Sequence, residues 1–245
     1  MRNADRQPAE MRPVTIEPNY LDFADGSCLI KVGRTKVLCS AMVEDRVPPF
    51  IKGTGQGWIT AEYGMLPGST QQRTSREASR GKQSGRTLEI QRLIGRSIRS
   101  VADLSAFADR TLWIDCDVIQ ADGGTRTASV TGAFVASIMA FHHLMEAKLI
   151  RAFPLKHLVA AVSVGIFQGQ KVLDLAYEED SVAEVDMNVV MTDDGRFIEV
   201  QGTAEHSPFS KQDMDALLGL AAKGIDELFA KQREALPLDL SRYNL

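Results

Sequence analysis

Cysteine is scarce in this 245-residue sequence, and its three copies show neither metal-binding nor disulfide spacing. Cys28, Cys39 and Cys116 all fall in strand-like stretches, and an odd number without C-x-x-C spacing favours buried free thiols. Histidine is scarce too, with four scattered copies. The sequence therefore argues against both a disulfide-stapled fold and a His/Cys metal cluster.

A long hydrophobic run and an export signal are also missing. The most apolar stretch, residues 133–145, is interrupted by Ser137, His142 and His143, and it is too short to span a bilayer. The first residues show no charged segment followed by an apolar one. We therefore expect a cytoplasmic protein that does not enter a membrane.

Positive charge is not in excess. The chain has 28 Lys and Arg against 32 Asp and Glu, a formal net charge of −4. This balance argues against a surface coated with positive charge for nonspecific nucleic-acid binding. Any site for a polyanion must therefore be a local patch.

The hydrophobic periodicity predicts an α+β fold. Residues 14–44 alternate as in an antiparallel hairpin or meander, with turns at Asp25-Gly26 and at Gly33-Arg34. Helical patterns cover 88–101 and 127–147, and a last helix starts near Ser210. Strand-like runs cover 159–167, 171–177, 185–191 and 196–202. This order predicts antiparallel or mixed sheets with packed helices in a single domain spanning residues 1–245.

The segment 45–86 has little periodicity and many glycine, proline and basic residues, so we predict a long functional loop. Its end, from about residue 67 to 85, looks mobile and basic. Such a strip neutralises phosphates along a nucleic-acid backbone. Taken alone, it fits an ordinary solvated loop equally well. Its positive residues, with Arg86 directly after it, are Arg73, Arg76, Arg80 and Lys82, against the single acid Glu77.

The predicted helix 88–101 carries Arg92, Arg96 and Arg99 on one stripe, at positions i, i+4 and i+7. A stripe of this kind is usually a solvated helix face. Because the basic loop leads directly into this helix, we predict that the three arginines contact a nucleic-acid backbone together with the loop.

Residues 120–129, QADGGTRTAS, predict an anion site. A strand-like run ends here in Gly123 and Gly124, which let the backbone turn sharply and approach a ligand. Free N–H groups at the following helix start, the Thr125 and Thr127 hydroxyls and the Arg126 guanidinium would converge on phosphate or sulfate. The alternative is a plain glycine-rich turn with a surface arginine.

Several carboxylates follow in the second half of the chain. We predict Asp174 on a strand, Asp180 in a connection and Asp186 at the start of the next strand. Two carboxylates facing a phosphate would repel it unless a hard cation lay between them, which predicts Mg²⁺ at Asp180 and Asp186. The remaining acids are interpreted as solvated turn residues; they are Glu178, Glu179 and Glu184.

Asp115 and Asp117 share one face of the strand before the glycine turn. They form either a second carboxylate pair or buried acceptors for neighbouring arginines. The buried-acceptor interpretation is favoured.

Long motifs in order resemble the ribonuclease PH family over nearly the whole chain. They are the opening RPVTI and the stretches GQGWITAEYGMLPGS, REASRGKQSGRTLEIQRLIGR, IDCDVIQADGGTRTAS and EEDSVAEVDMNVVMTDDGRFIEVQGTAE. The resemblance implies the ribonuclease PH fold, with a β-α-β-α core related to a ribosomal protein S5 domain. It also implies a ring-shaped homohexamer built as a trimer of dimers.

The activity implied by the resemblance is phosphorolytic 3′→5′ exoribonuclease trimming of tRNA precursors. Inorganic phosphate would be the co-substrate, nucleoside 5′-diphosphates the products, and 3′ extension the reverse reaction. Arg86, Gly124, Thr125 and Arg126 match the family's phosphate-binding positions. Asp180 and Asp186 match the carboxylates tied to metal and catalysis, and Arg126 is predicted to act with them.

Two positions depart from the family pattern. Pro49 and Gly68 stand where a basic residue is common, which would thin the positive surface near the RNA. One alternative function is a noncatalytic RNA-holding ring subunit of an exosome-type assembly, although intact Arg126, Asp180 and Asp186 argue against it. A nucleotide-using kinase is disfavoured because the sequence has no GxxxxGK[ST] motif.

Overall fold

The computed structural model describes residues 2, 6–205 and 207–245. Its first sheet has five strands in the order β1-β2-β3-β5-β4, antiparallel except for the parallel β4–β5 pair. The parallel pair arises because a helix connects β4 to β5 across the sheet. The strands are β1 (Val14–Pro18), β2 (Gly26–Val32), β3 (Thr35–Glu44), β4 (Trp58–Met65) and β5 (Thr111–Gln120).

The second sheet has four antiparallel strands in the order β7-β6-β8-β9. They are β6 (Val159–Phe167), β7 (Gln170–Leu173), β8 (Val185–Thr192) and β9 (Phe197–Ala204). The described helices are α1 (Glu77–Arg80), α2 (Gly85–Arg99), α3 (Thr125–Glu146), α4 (Tyr177–Asp180) and α5 (Lys211–Ala235), with short 3₁₀ turns at 49–51, 104–107 and 240–243.

Helix α3 is the centre of the packing. It contacts β2 and β3 of the first sheet and β6 of the second, while α2 packs on β4 and α5 packs on β6. By length and composition α3 is long and apolar enough to cross a membrane, but 83% of its most apolar segment is buried inside the protein. The helix is therefore apolar all round because it fills the core between two sheets.

The α+β class and most predicted elements are confirmed. The meander over 14–44, the runs at 159–167 and 185–191 and the last helix with its Ser210 cap all form, and Ser210 accepts a hydrogen bond from the Asp213 N–H. The three cysteines are free and buried, as expected.

Strand β4 was missed, so the prediction of one continuous loop over 45–86 is wrong. Ile59, Ala61 and Tyr63 alternate inwards along β4 and lie in the core. Glycine-rich flanks on both sides hide this short alternation in the sequence. The loop proper runs from residue 66 to the start of α2, and it contains the short helix α1.

The predicted strand 171–177 is too long, and Asp174 does not lie on a strand. β7 ends at Leu173, and Asp174 adopts the left-handed conformation with φ of 57°. The chain turns there because Asp174 is buried and accepts hydrogen bonds from Arg12, a partner 162 residues away.

Gly26 places β2 directly against α3, so a substitution at this position tests the packing of the strand on the helix. A Cβ at Gly26 would lie 2.1 Å from the Ala136 carbonyl oxygen and 2.4 Å from the Ala140 nitrogen. We expect Gly26→Ala to lower the free energy of unfolding by about 1–3 kcal/mol in urea denaturation.

Gly219 on α5 is the matched control, because a Cβ there meets nothing within 4 Å. Gly219→Ala should raise the free energy of unfolding by up to about 1 kcal/mol, the helix-propensity difference between the two residues. Equal stability of Gly26→Ala and the unmodified protein would contradict the close β2–α3 packing.

Candidate phosphate and carboxylate site

The glycine turn predicted to bind an anion connects the end of β5 to the start of α3. Gly123 and Gly124 both have positive φ, 78° and 66°, which explains why glycine occupies both positions. The helix begins at Thr125, two residues before the predicted start, with Gly124 as its N-cap. Thr125 and Arg126 therefore lie in the first turn, where backbone N–H groups lack helical acceptors and the helix dipole favours an anion.

The two threonines of this turn have different partners. The Thr125 hydroxyl is hydrogen-bonded to the Tyr63 hydroxyl at 2.9 Å, and both side chains are buried. The Thr127 hydroxyl donates to the Gly124 carbonyl at 3.0 Å. Both hydroxyls therefore have an intramolecular partner, and their contact with an anion stays a prediction. Tyr63 escaped the sequence analysis because β4 was not recognised.

Arg126 is already oriented by two acceptors. Its Nη1 donates to Gln201 Oε1 at 2.6 Å and lies 3.3 Å from Glu89 Oε1. Arg86, in the first turn of α2, is exposed. Both guanidinium groups are close enough to lower the pKa of Asp180 and Asp186 by their charge. Two positive and two negative side chains therefore lie within electrostatic range of one another, and Arg126 directly follows the glycine turn.

The pKa of Asp186 is raised to about 6, first by burial and second by the charge of Asp180. Burial also raises the pKa of Asp180, while Arg86 and Arg126 lower it and Glu205 raises it further. Asn188 donates to Asp186 Oδ2 at 3.3 Å. The two carboxylates repel each other, so a bound cation between them would relieve an existing electrostatic strain.

The donor set fits a hard cation. Within residues 2, 6–205 and 207–245, no three His, Cys, Asp or Glu side chains form a metal cage. Asp180 and Asp186 would supply two carboxylates, and substrate oxygens and water would complete the shell. This arrangement is typical of Mg²⁺, which is usually bound by one or two carboxylates plus phosphate oxygens.

The basic loop closes over a cleft of about 900 Å³. Tyr63 and Asp117 line its floor, and Arg86 lines one side. The loop is tied to α2 because the Thr87 hydroxyl donates to Glu77 Oε1 at 2.8 Å. The cleft adjoins the start of α3 through Tyr63, whose hydroxyl is hydrogen-bonded to Thr125. The basic side chains that line the cleft from the loop are Arg73, Arg76, Arg80 and Lys82.

The arginine stripe of α2 is more engaged than predicted. Arg92 is exposed, but Arg96 forms an ion pair with Glu199. Arg99 donates to the Ile59 carbonyl at 2.6 Å and lies over the Trp58 ring, 4.6 Å from its centroid. Two of the three arginines therefore have intramolecular partners, and their RNA contacts stay a prediction.

The interpretation of Glu179 as a solvated turn residue is wrong. Glu179 is 2% exposed and accepts hydrogen bonds from Arg2 at 2.8 Å and Arg6 at 2.9 Å. These arginines lower its pKa against the opposing effect of burial. Glu179 immediately precedes Asp180, so the ion pairs fix the helix that carries this carboxylate. Partners more than 170 residues apart leave no local sequence signal.

The interpretation of Asp115 and Asp117 as buried acceptors for arginines is also wrong. Asp117 is exposed and Asp115 is half-buried. Burial raises the pKa of both carboxyl groups, Glu62 adds to the rise at Asp115, and Arg76 opposes it at Asp117. Both lie on the face of β5 opposite its buried residues, and Asp117 lines the cleft.

Two family models match the chain. The model of the 3′ exoribonuclease family, domain 1, matches residues 10–141, and domain 2 of the same family matches residues 157–224. Among solved structures, a chain of the Archaeoglobus fulgidus exosome with RNA bound to the active site superimposes with a TM-score of 0.81 at 22% identity, covering 94% of this chain and 92% of that chain. Rice (Oryza sativa) Rrp46 gives a TM-score of 0.76 at 19% identity, and the match covers 95% of this chain and 98% of that chain.

Curated relatives are similar over the full length. Ribonuclease PH of Bacillus subtilis (strain 168) is 60% identical over 237 residues, 96% of this chain and 97% of that protein. Ribonuclease PH of Syntrophomonas wolfei is 59% identical over 235 residues, 96% and 98% of the two chains. Identity of this extent and the two family matches show that the chain belongs to the ribonuclease PH family of 3′ exoribonucleases.

Proposed function

We propose that this protein is a phosphate-dependent 3′→5′ exoribonuclease that trims tRNA precursors and releases nucleoside 5′-diphosphates. The observation that carries the proposal is the glycine turn at the start of α3, which is hydrogen-bonded to the start of α4, with Arg86 and Arg126 in electrostatic range of Asp180 and Asp186. An anion site next to two carboxylates suits phosphate as attacking group and a phosphodiester as target. The ribonuclease PH relatives, similar over nearly the whole chain, support the same activity.

In the proposed reaction the chain's own groups mainly position charge. Arg86, Arg126 and the N–H groups of Gly124 and Thr125 hold inorganic phosphate in line with the terminal phosphodiester. Asp180 and Asp186 would hold Mg²⁺, which would supply positive charge near the phosphoryl oxygens and the leaving 3′-oxygen. No protein nucleophile is needed, and Arg126 assists by stabilising the developing negative charge.

The reaction should run in both directions. A phosphoanhydride product replaces a phosphodiester, so excess nucleoside diphosphate should extend the 3′ end.

The RNA is proposed to reach this site along the basic cleft, with Arg73, Arg76 and Arg80 on its phosphates. Arg92, Arg96 and Arg99 would extend the contact along α2. We propose that the protein works in the cytoplasm as a homohexameric ring, a trimer of dimers. One domain would form each subunit, since a continuous buried cluster joins both sheets.

Arg126→Ala tests the anion site. The purified protein is incubated with Mg²⁺ and a 3′-overhanging RNA, with and without inorganic phosphate, and the released nucleotides are resolved. We expect nucleoside diphosphates only with phosphate, and a loss of kcat/KM for phosphate on the order of 100-fold in the variant. RNA affinity should stay nearly unchanged.

Three outcomes contradict parts of this assignment. Nucleoside monophosphates released without phosphate would mean hydrolysis. Tight RNA binding without any release would favour a noncatalytic ring subunit. An unchanged phosphate dependence of Arg126→Ala would remove this arginine from the site.

Asp186→Asn tests the carboxylate pair through stability. Because the pKa of Asp186 is about 6 in the folded protein and 3.8 in a model compound, folding is favoured while the group is protonated. The ionised group destabilises the fold as pH rises from about 4 to about 6. At about pH 7.5 without divalent ions, the free energy of unfolding of the variant should be higher than that of the unmodified protein by up to about 3 kcal/mol. The variant should therefore unfold at a higher temperature.

The pH dependence supplies the control for this comparison. The difference in unfolding temperature should vanish below about pH 3, where Asp186 is protonated in both the folded and the unfolded protein. Mg²⁺ should raise the unfolding temperature of the unmodified protein more than that of Asp186→Asn, and the variant should lose turnover more than RNA affinity. Near-normal turnover of the variant in Mg²⁺ would refute the metal role.

Combined replacement of Arg73, Arg76 and Arg80 by Gln tests the RNA path. We expect weaker RNA binding and a salt slope, d log K/d log[salt], flatter by about 2, since each lost phosphate contact with a single strand contributes about 0.7. A control with the same charge change replaces Arg34, Arg151 and Arg242, which are exposed and outside the cleft. Equal slopes for the two variants would make the loop an ordinary surface segment.

A further inference from the structure

The carbonyl oxygens of the glycine turn are held by two side chains that the sequence analysis did not single out. Arg12 Nη1 donates to the Asp122 carbonyl, and its Nη2 lies 3.4 Å from the Gly123 carbonyl. The Thr35 hydroxyl donates to the same Gly123 carbonyl at 2.7 Å and accepts from the Asp122 N–H at 2.9 Å.

Holding these carbonyls fixes the direction of the N–H groups of the turn. In a planar trans peptide the C=O of one residue and the N–H of the next point in opposite directions. With the Asp122 and Gly123 carbonyls turned toward Arg12, the N–H groups of Gly123 and Gly124 point away from it. Since both glycines can adopt many backbone conformations, the turn needs such an external restraint to keep one orientation.

Arg12 is itself rigidly bound to Asp174. The Arg12 backbone N–H and Nε both donate to Asp174 Oδ2 at 2.8 Å, and Nη2 donates to Oδ1 at 2.6 Å. The side chains are 7% and 4% exposed. A buried bidentate arginine–carboxylate pair leaves the guanidinium little freedom to rotate. The remaining N–H groups of Arg12 therefore point at the glycine turn.

The same contacts connect the turn to the helix that carries Asp180. The Tyr177 N–H, at the start of α4, donates to the Asp122 carbonyl at 3.2 Å. A Cβ at Gly123 would lie 2.6 Å from the Leu175 carbonyl oxygen, so the two segments are in direct backbone contact. The proposed phosphate site and one carboxylate therefore share one support.

We propose that Arg12 is a positioning residue for phosphate: bound to Asp174, it orients the peptide groups of the glycine turn so that the Gly124 N–H, one of the two proposed to hold phosphate, can bind the attacking anion. Arg12 does not touch the anion, and its charge is neutralised by Asp174. This inference rests on the proposed phosphate-dependent function.

Among the described residues, Arg6 belongs to the same buried cluster as Arg12 but makes no hydrogen bond with the glycine turn. It also pairs with Asp174, at 3.3 Å, and with Glu179 at 2.9 Å, and its side chain is 6% exposed. Its hydrogen bonds go to Asp174, Glu179 and the Glu10 carbonyl, and not to the glycine turn. Arg6→Met is therefore a matched loss of one buried arginine from the same cluster.

The test measures KM for inorganic phosphate, KM for RNA and the unfolding temperature in the full-length protein. Arg12→Lys keeps the charge beside Asp174 but cannot reach both the carboxylate and the turn carbonyls. We expect KM for phosphate to rise on the order of tenfold, with KM for RNA within about twofold. Arg6→Met should lower the unfolding temperature and leave KM for phosphate within about twofold.

An unchanged KM for phosphate in Arg12→Lys, or an equal rise in Arg6→Met, would overturn the proposal. If Arg12→Lys does not fold, Thr35→Val is measured in its place. This substitution removes the hydrogen bond from Thr35 to the Gly123 carbonyl with little change in side-chain volume. A raised KM for phosphate in this variant supports the proposal, and an unchanged one overturns it. Phosphate-dependent release by the unmodified protein, measured alongside, tests the proposed function separately.

Discussion

The burial of α3 between the two sheets is the constraint on which the other features depend. Because this helix is packed on β2 and β3 on one side and on β6 on the other, its axis and its N-terminus are fixed by the core. The glycine turn stands at that N-terminus, where the unpaired N–H groups and the helix dipole favour an anion. The proposed anion site therefore takes its position from hydrophobic packing and needs no flexible loop to form it.

Charge then specialises this scaffold. Burial and mutual repulsion disfavour ionisation of Asp180 and Asp186. The charges of Arg86 and Arg126 offset part of this cost. At the proposed site, an anionic and a cationic ligand would therefore bind more favourably together than either would alone. A phosphate bound without a cation would face Asp180 and Asp186, whereas a cation without phosphate would face Arg86 and Arg126.

The sequence predicted the elements whose signals are local. The helical periods and the alternation at 159–167 and 185–191 gave the correct types, and the glycine pair located the turn before α3. β4 was missed because glycine-rich flanks conceal its alternation. The roles of Glu179 and Asp174 were missed because they are set by Arg2, Arg6 and Arg12, which lie far away along the chain. Only folding brings such partners together.

The pairing of Arg12 with Asp174 also has a consequence for how the protein is made. The two residues are 162 positions apart, and the glycine turn they support lies between them. During synthesis from the N-terminus, the turn and α3 leave the ribosome well before Asp174 does. The first sheet can therefore form early, but the proposed anion site stays incomplete until the second half of the chain has emerged. A nascent chain would therefore acquire the proposed phosphate site as one of its last steps.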